Sequence, residues 1–301
     1  MVEGTGPDAM ADPAPPLEPV PAPIPRREPR AGRNLPVAIA TALVLAGALI
    51  GTLFVSRPAF VAFVLVIVVW ALLELLAALR ARAMRPAYPV VLAMTAVLMV
   101  GAYLKGPAAL SFGLALTILA AFGWYLVDRH RTEVTRNVGA TVLATLYLPF
   151  LAAYLVLVVR QADHYVGALI GYAALTVVYD TFAYATGALL GRHPMAPAVS
   201  PNMSWEGVAG ASAACLLAGA FLLPLWEPWS LAPGLALAGI TCVVAPLGDL
   251  SESMLKRDLA VKDMGSLLPG HGGMLDRIDA LLFMAPALYY VMTWFNLLRT
   301  P

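Results

Sequence analysis

The chain has 301 residues, of which 60% are hydrophobic and only 12% charged, and its formal net charge is +1. Soluble domains run near half apolar and about a quarter charged, and a mean hydropathy of +0.79 carries more apolar surface than one compact core of this length hides. These values exclude a disordered chain, a disulfide-stapled secreted domain and a nucleic-acid partner, and they point to an all-α integral membrane protein.

Residues 1–34 hold nine of the 25 prolines and almost no large apolar side chain. That composition reads as a disordered cytoplasmic tail, closed by Arg26, Arg27, Arg30 and Arg33. No apolar core follows Met1 closely, so the tail does not read as a signal peptide. From Leu35 onward, apolar runs long enough for a ~30 Å hydrocarbon core recur. Nine spans are expected, at 36–55, 58–79, 88–104, 107–127, 138–159, 165–190, 206–225, 231–255 and 274–298. They must be helices, because lipid offers no partner to an open backbone. Residues 35–160 form an N-terminal transmembrane region, and 161–301 a C-terminal region that carries the polar residues.

Alternating the spans places 15 of the 19 lysines and arginines on one side and leaves Arg57, Lys105, Arg160 and Arg299 on the other. The positive-inside tendency then sets the N-terminus in the cytoplasm and the C-terminus outside, in a multi-pass protein of the cell membrane. Trp226 and Trp229 suit an interfacial belt at the outer surface. Cys215 and Cys242 lie in apolar runs and read as small hydrophobes.

Ionisable residues within membrane spans usually pair with a neighbouring helix or line a polar cavity, and here they gather in the last third of the chain. Asp180 lies inside the sixth span. The loop carrying Ser200, Asn202, Met203, Ser204 and Glu206 precedes the seventh, where Ser204 and Glu206 would equally suit an ordinary helix start. The eighth span ends with Asp249, Glu252, Ser253 and Lys256 at i, i+3, i+4 and i+7, which is one helix face, followed by Arg257. Lys262 and Asp263 lead into a glycine-rich turn, Gly270-His271-Gly272-Gly273, and then into Asp276, Arg277 and Asp279. Glycines let backbone N–H groups approach an anion closely. Carboxylates on two helix faces suit a hard divalent cation such as Mg²⁺, which often shares its ligands with phosphates. The nearby Lys and Arg side chains suit the remaining phosphate charge. Phosphoryl or nucleotidyl transfer calls for this combination of positioning and charge neutralisation.

The stretch from Ser253 to Asp279, SMLKRDLAVKDMGSLLPGHGGMLDRID, resembles the signature of the phosphatidate cytidylyltransferases. The Asp-Thr-Phe-Ala-Tyr run at 180–184 and the loop at 200–206 follow the family order, and Glu74 in the second span matches a family position. The loop departs at Met203, where the family has Lys. The resemblance implies conversion of CTP and phosphatidic acid to CDP-diacylglycerol and pyrophosphate, the committed step of phospholipid biosynthesis. It also implies Mg²⁺, K⁺ as a second metal, and a homodimer. Carried over by position, Asp249 and Asp276, supported by Asp279, would hold metal, with Lys256 and Arg257 beside them at the reacting phosphates. Ser200, Asn202, Ser204, Glu206, Lys262, Asp263, His271, Gly272, Gly273, Arg277 and Asp180 would shape the substrate site, which faces the cytoplasm. A CTP-dependent lipid kinase, or a cytidylyltransferase for another lipid phosphate, is the alternative reading of the same residues. An ion-coupled transporter is the remote one, since no internal repeat is present.

Overall fold

The structure, a computed structural model, describes residues 35–128, 132–265 and 272–298, with side chains from residue 44 onward. Among these residues the chain forms nine helical rods at the positions of the nine apolar runs. They are α1 (Leu35–Val55), α2 (Arg57–Ala81), α3 (Tyr88–Lys105), α4 (Ala108–Val127), α5 (Val134–Thr145) continuing into α6 (Leu151–Gln161), α7 (Tyr165–Leu190), α8 (Trp205–Leu217) with its extension to Leu225, α9 (Leu231–Asp258) and α10 (Leu275–Trp294). Seven of them are long and apolar enough to cross a membrane: α2, α3, α4, the α5–α6 rod, α7, the α8 rod and α9. The start of α10 carries Asp276, Arg277 and Asp279, which lowers its hydropathy, so the protein is a mainly helical membrane protein whose α10 begins in charged residues.

Local chemistry sets the rod ends. Ser56 caps α2, its hydroxyl accepting from the Ala59 N–H at 3.2 Å, and Pro58 follows in the first turn, where a missing N–H costs nothing. Gly106 ends α3 with φ +76°, a backbone region that favours glycine, and a Cβ there would lie 2.7 Å from an Arg160 guanidinium nitrogen. Within the rods, Thr95, Thr117, Thr141, Thr145, Thr176 and Thr241 each donate to the carbonyl four residues back. This satisfies their hydroxyls where no water reaches. Large apolar side chains such as Phe54, Phe112, Leu119 and Phe221 face outward, the inverse of a soluble surface.

Three features differ from the sequence reading. The fifth rod opens at residue 134 and holds a π-helical turn at Leu146–Phe150 around Pro149, whose ring and missing N–H disturb the regular ladder. The seventh rod holds another at Ala218–Leu222, and there the backbones of Gly219 and Gly234 meet so closely that a Cβ at 219 would come 2.6 Å from the Gly234 carbonyl oxygen. Trp229 is no belt residue: it is buried, and its indole N–H donates to the Gly167 carbonyl at 3.1 Å, because the 226–230 turn folds back onto α7.

The segment before α8, read as a loop, is an antiparallel hairpin of β1 (Pro194–Ala196) and β2 (Ser200–Ser204), with Pro194 opposite Ser204 and Ala196 opposite Ser200. Prolines at 194, 197 and 201 bar a helix here. Long-range bonds fix which rod ends lie together. Arg82 donates to the Leu259 carbonyl at 2.8 Å, joining the ends of α2 and α9, and Arg257 donates to the Val199 carbonyl at 3.2 Å, joining α9 to the hairpin. At the opposite end, Arg57 donates to the carbonyls of Arg160 and Ala162 at 3.1 and 2.9 Å.

Candidate active site

The C-terminal half of α9 and the start of α10 carry the sequence-predicted acids, and a glycine lets the two helices meet. A Cβ on Gly248 would come 3.3 Å from Ala280 Cα and 3.2 Å from Phe283 Cβ. At position 248 the helices therefore touch almost backbone to side chain, which turns the face of α9 bearing Asp249, Glu252 and Lys256 toward Asp276 and Asp279.

Lys256 joins the two helices. Its ammonium lies 2.6 Å from Glu252 Oε2 and 3.0 Å from Asp276 Oδ1, with side-chain exposures of 18% for the lysine, 3% for the glutamate and 6% for the aspartate. Asp276 is further fixed by the backbone: its Oδ2 accepts from Gly273 N–H at 2.8 Å and from Met264 N–H at 3.1 Å. The two residues flank the glycine-rich segment, so one carboxylate closes it. Gly272 has φ +83°, and a Cβ there would meet Asp276 Oδ2 at 3.1 Å and Asp263 Oδ1 at 3.3 Å. The closeness of these carboxylates requires glycine.

Asp249 and Asp279 are half-buried and lie within electrostatic reach of one another and of Asp180. Asp180 is itself surface-exposed on α7, so it stands at the open edge of this acid group. Glu252 Oε1 is buried with no hydrogen bond among the described residues. So is the hydroxyl of Tyr147, which projects from the π turn, packs edge-on against Phe283 at 5.8 Å, and shares its surroundings with Glu252, Asp279, Asp249 and Asp276. Among the described residues, no three Asp, Glu, His or Cys side chains form a closed metal-ligand set. What is present is a group of carboxylates from α9 and α10 joined by Lys256, and carboxylate oxygens are the donors that Mg²⁺ takes.

The hairpin residues have a different character. Ser204 caps α8, its hydroxyl accepting from Gly207 N–H at 3.1 Å. Glu206 binds the other side of the hairpin, accepting from the N–H groups of Arg192 and His193 at 3.1 and 3.2 Å and meeting His193 Nδ1 at 2.5 Å. Both residues thus shape the loop. Asn202, Met203 and Ser204 line a cavity of about 110 Å³ together with Arg192, so Arg192 borders the same cavity as Met203. Ser200 is half-buried in β2, and Arg257, Lys262, Asp263 and Arg277 are exposed around the same end. His271 lies outside the described residues. A larger cavity, about 680 Å³ and lined by Arg80, Arg85, Tyr88 and Trp124 among others, shares no residue with the acid group.

Sequence reading assigned Lys256 to phosphate, whereas in the structure its charge is held by Glu252 and Asp276. It also passed over two residues. Glu252 was visible on the α9 face but was not counted in the site. Glu74 was noted only as a family position, yet its Oε2 accepts from Leu275 N–H at 3.2 Å, across 201 residues of sequence.

Comparison with known proteins shows the family. The pattern described as the cytidylyltransferase family matches residues 36–295. Phosphatidate cytidylyltransferase of Mycobacterium leprae is 34% identical over 289 residues, covering 89% of this chain and 90% of that protein. The protein of the same name from Mycobacterium bovis is 32% identical over 280 residues, covering 88% and 90%. That from Bacillus subtilis is 38% identical over 174 residues, covering 57% and 64%. The chain belongs to the cytidylyltransferase family.

Proposed function

We propose that this protein transfers the cytidylyl group of CTP to phosphatidic acid. A phosphate oxygen of the lipid attacks the α-phosphorus of CTP, the bond from that phosphorus to the bridging oxygen of the β-phosphate breaks, and pyrophosphate leaves. No side chain forms a covalent intermediate. The observation that carries the reading is the meeting of the two described ends of the 253–279 signature, with Lys256 spanning Glu252 and Asp276, in a chain whose full-length relatives bear the name phosphatidate cytidylyltransferase.

Asp249, Asp279 and Asp276 are the oxygens suited to Mg²⁺, which when bound would neutralise and orient the triphosphate; K⁺ as a second cation rests on family resemblance. The chain's own residues do the rest. Lys256 holds Asp276 in place, and Gly272 and Gly273 let the carboxylates of Asp276 and Asp263 pack against the backbone. Arg257, Lys262 and Arg277 supply cations around the rim, and the hairpin with Ser200, Asn202 and Arg192 borders the nucleotide. The tail and all nine rods are proposed to place the N-terminus and this site in the cytoplasm. Nine described cations lie at the end that carries the site, and three (Arg57, Lys105 and Arg160) at the other, as the positive-inside tendency requires. A homodimer is proposed from the family and is checked by cross-linking in membranes.

The test is turnover of purified protein with phosphatidic acid and Mg²⁺, using CTP labelled at the α- or γ-phosphate. Label from the α position enters lipid and label from the γ position does not; γ-label in lipid refutes the reading in favour of a kinase. Asp276→Asn lowers turnover by at least about 100-fold, as loss of a charged group at a transferring phosphate does, in protein that still inserts in membranes.

A further inference from the structure

Glu74 is the one acidic residue of α2, and its side chain is buried at 6% exposure. An anion in that position is costly unless it is bonded, and its bonds run to the far end of the chain. Oε2 accepts from the Leu275 N–H at 3.2 Å, with the Met274 N–H alongside. These are among the first N–H groups of α10, which no intrahelical carbonyl can satisfy, and Met274 offers no side-chain cap of its own. A carboxylate at a helix N-terminus is also attracted to the positive end of the helix dipole.

The same carboxylate packs beneath two crossing stretches of backbone. A Cβ on Gly273 would lie 2.7 Å from Glu74 Oε2 and 2.6 Å from the Gly265 nitrogen, and a Cβ on Gly265 would collide with the Glu74 carboxyl group itself. Gly265 and Gly273 are the two stems of the glycine-rich segment. Asp276 bonds the residue beside one stem, Met264, and the other stem, Gly273. Two carboxylates therefore hold the same two stems, Asp276 from within α10 and Glu74 from the N-terminal half of the protein.

We propose that Glu74 is a positioning residue for the transfer reaction. It touches neither substrate nor reacting atoms, and it acts by fastening both stems and the first turn of α10 so that Asp276 stands where the phosphates need it. The proposal rests on the reading of Asp276 as a site residue.

The experiment compares full-length protein, Glu74→Ala, Glu74→Gln, Glu74→Asp, Gly265→Ala and the Gly265→Ala/Glu74→Ala double variant in detergent, measuring kcat, KM for CTP and thermal midpoint. Glu74→Ala lowers kcat by about 100-fold, the scale of a small misplacement of a catalytic group, while KM changes by less than about threefold because the nucleotide contacts themselves remain. Glu74→Gln keeps an acceptor for Leu275 N–H and recovers at least about tenfold of that loss. Gly265→Ala alone is as harmful as Glu74→Ala, but adds less than about twofold on the Glu74→Ala background, because its collision partner is gone.

A Glu74→Ala kcat within twofold of the parent, or costs of the two substitutions that simply multiply, overturns the proposal. If Glu74→Ala does not fold, Glu74→Asp decides: its carboxylate is one methylene short of Leu275, and an unchanged kcat refutes the role. Absence of turnover in the parent protein would instead refute the cytidylyltransferase reading, and the thermal midpoints of the same four-protein cycle would still decide whether Glu74 and Gly265 are coupled.

Discussion

Replacing Lys256 by Met keeps an unbranched side chain one atom shorter and removes its charge. In the parent, the ammonium sits 2.6 Å from Glu252 and 3.0 Å from Asp276, with both acids nearly buried. Each contact is worth about 6 kcal/mol of Coulomb energy at an effective dielectric near 20, and much of this is offset by the cost of removing three charges from water. What the substitution leaves is two buried carboxylates with no cation between them, and breaking a buried pair in this way costs about 3–5 kcal/mol. A chain of this size loses about 2–4 °C of thermal midpoint per kcal/mol, so Lys256→Met should melt roughly 6–20 °C below the parent in a detergent thermal-shift assay. Adding Glu252→Gln removes one of the stranded charges and should restore part of the loss. A Lys256→Met midpoint within 2 °C of the parent, or a double variant that melts lower than the single, would refute the bridge as the element holding α9 to α10.

Gly248→Leu places a branched side chain where Ala280 Cα already lies 3.3 Å from a notional Cβ. It should destabilise by about 1–3 kcal/mol through overpacking and reduce kcat, as read by thermal shift and CTP turnover, by parting the acid faces. Lys105→Ala, at the end away from the acid group, should leave turnover within about twofold of the parent, since surface charges remote from a site contribute little.

Much of this was legible from residues near one another in sequence. Apolar runs of about 20 residues gave the rods, since the bilayer admits few other structures, and the i, i+3, i+4, i+7 spacing placed Asp249, Glu252 and Lys256 on one face of α9. The pairing of Lys256 with Glu252 follows from that spacing, but its second partner, Asp276, lies across a turn whose geometry no periodicity encodes. Glu74 was the hardest to read: it is one Glu in an apolar helix, and its meaning lies in Leu275 and in two glycines about 190–200 residues away. The hairpin at 194–204 was masked by its prolines, which forbid a helix without announcing a strand. Trp229 was misplaced because a Trp at the end of an apolar run suits an interface as well as it suits a close approach between turns. Gly171 reveals the difference in the structure, since a Cβ there would collide with the Trp229 ring.

The charge balance of the site leads to one more consequence. Asp180, Asp249, Glu252, Asp276 and Asp279 converge on one region, and Lys256 is already held by two of them. A triphosphate and a lipid phosphate bring further negative charge to the same place, so bare CTP should be repelled and CTP carried with Mg²⁺ accepted, because phosphates and carboxylates together make the oxygen shell that Mg²⁺ prefers. Binding of nucleotide and metal should therefore be strongly coupled. By calorimetry on the detergent-solubilised protein, the affinity for CTP should rise at least about tenfold when Mg²⁺ is added, a coupling of about 1.4 kcal/mol. Asp249→Asn should shrink that difference while improving the binding of metal-free CTP, since it removes a repelling charge. Equal CTP affinity with and without Mg²⁺ in the parent, or weaker metal-free binding in Asp249→Asn, would mean that these carboxylates do not face the phosphates at all.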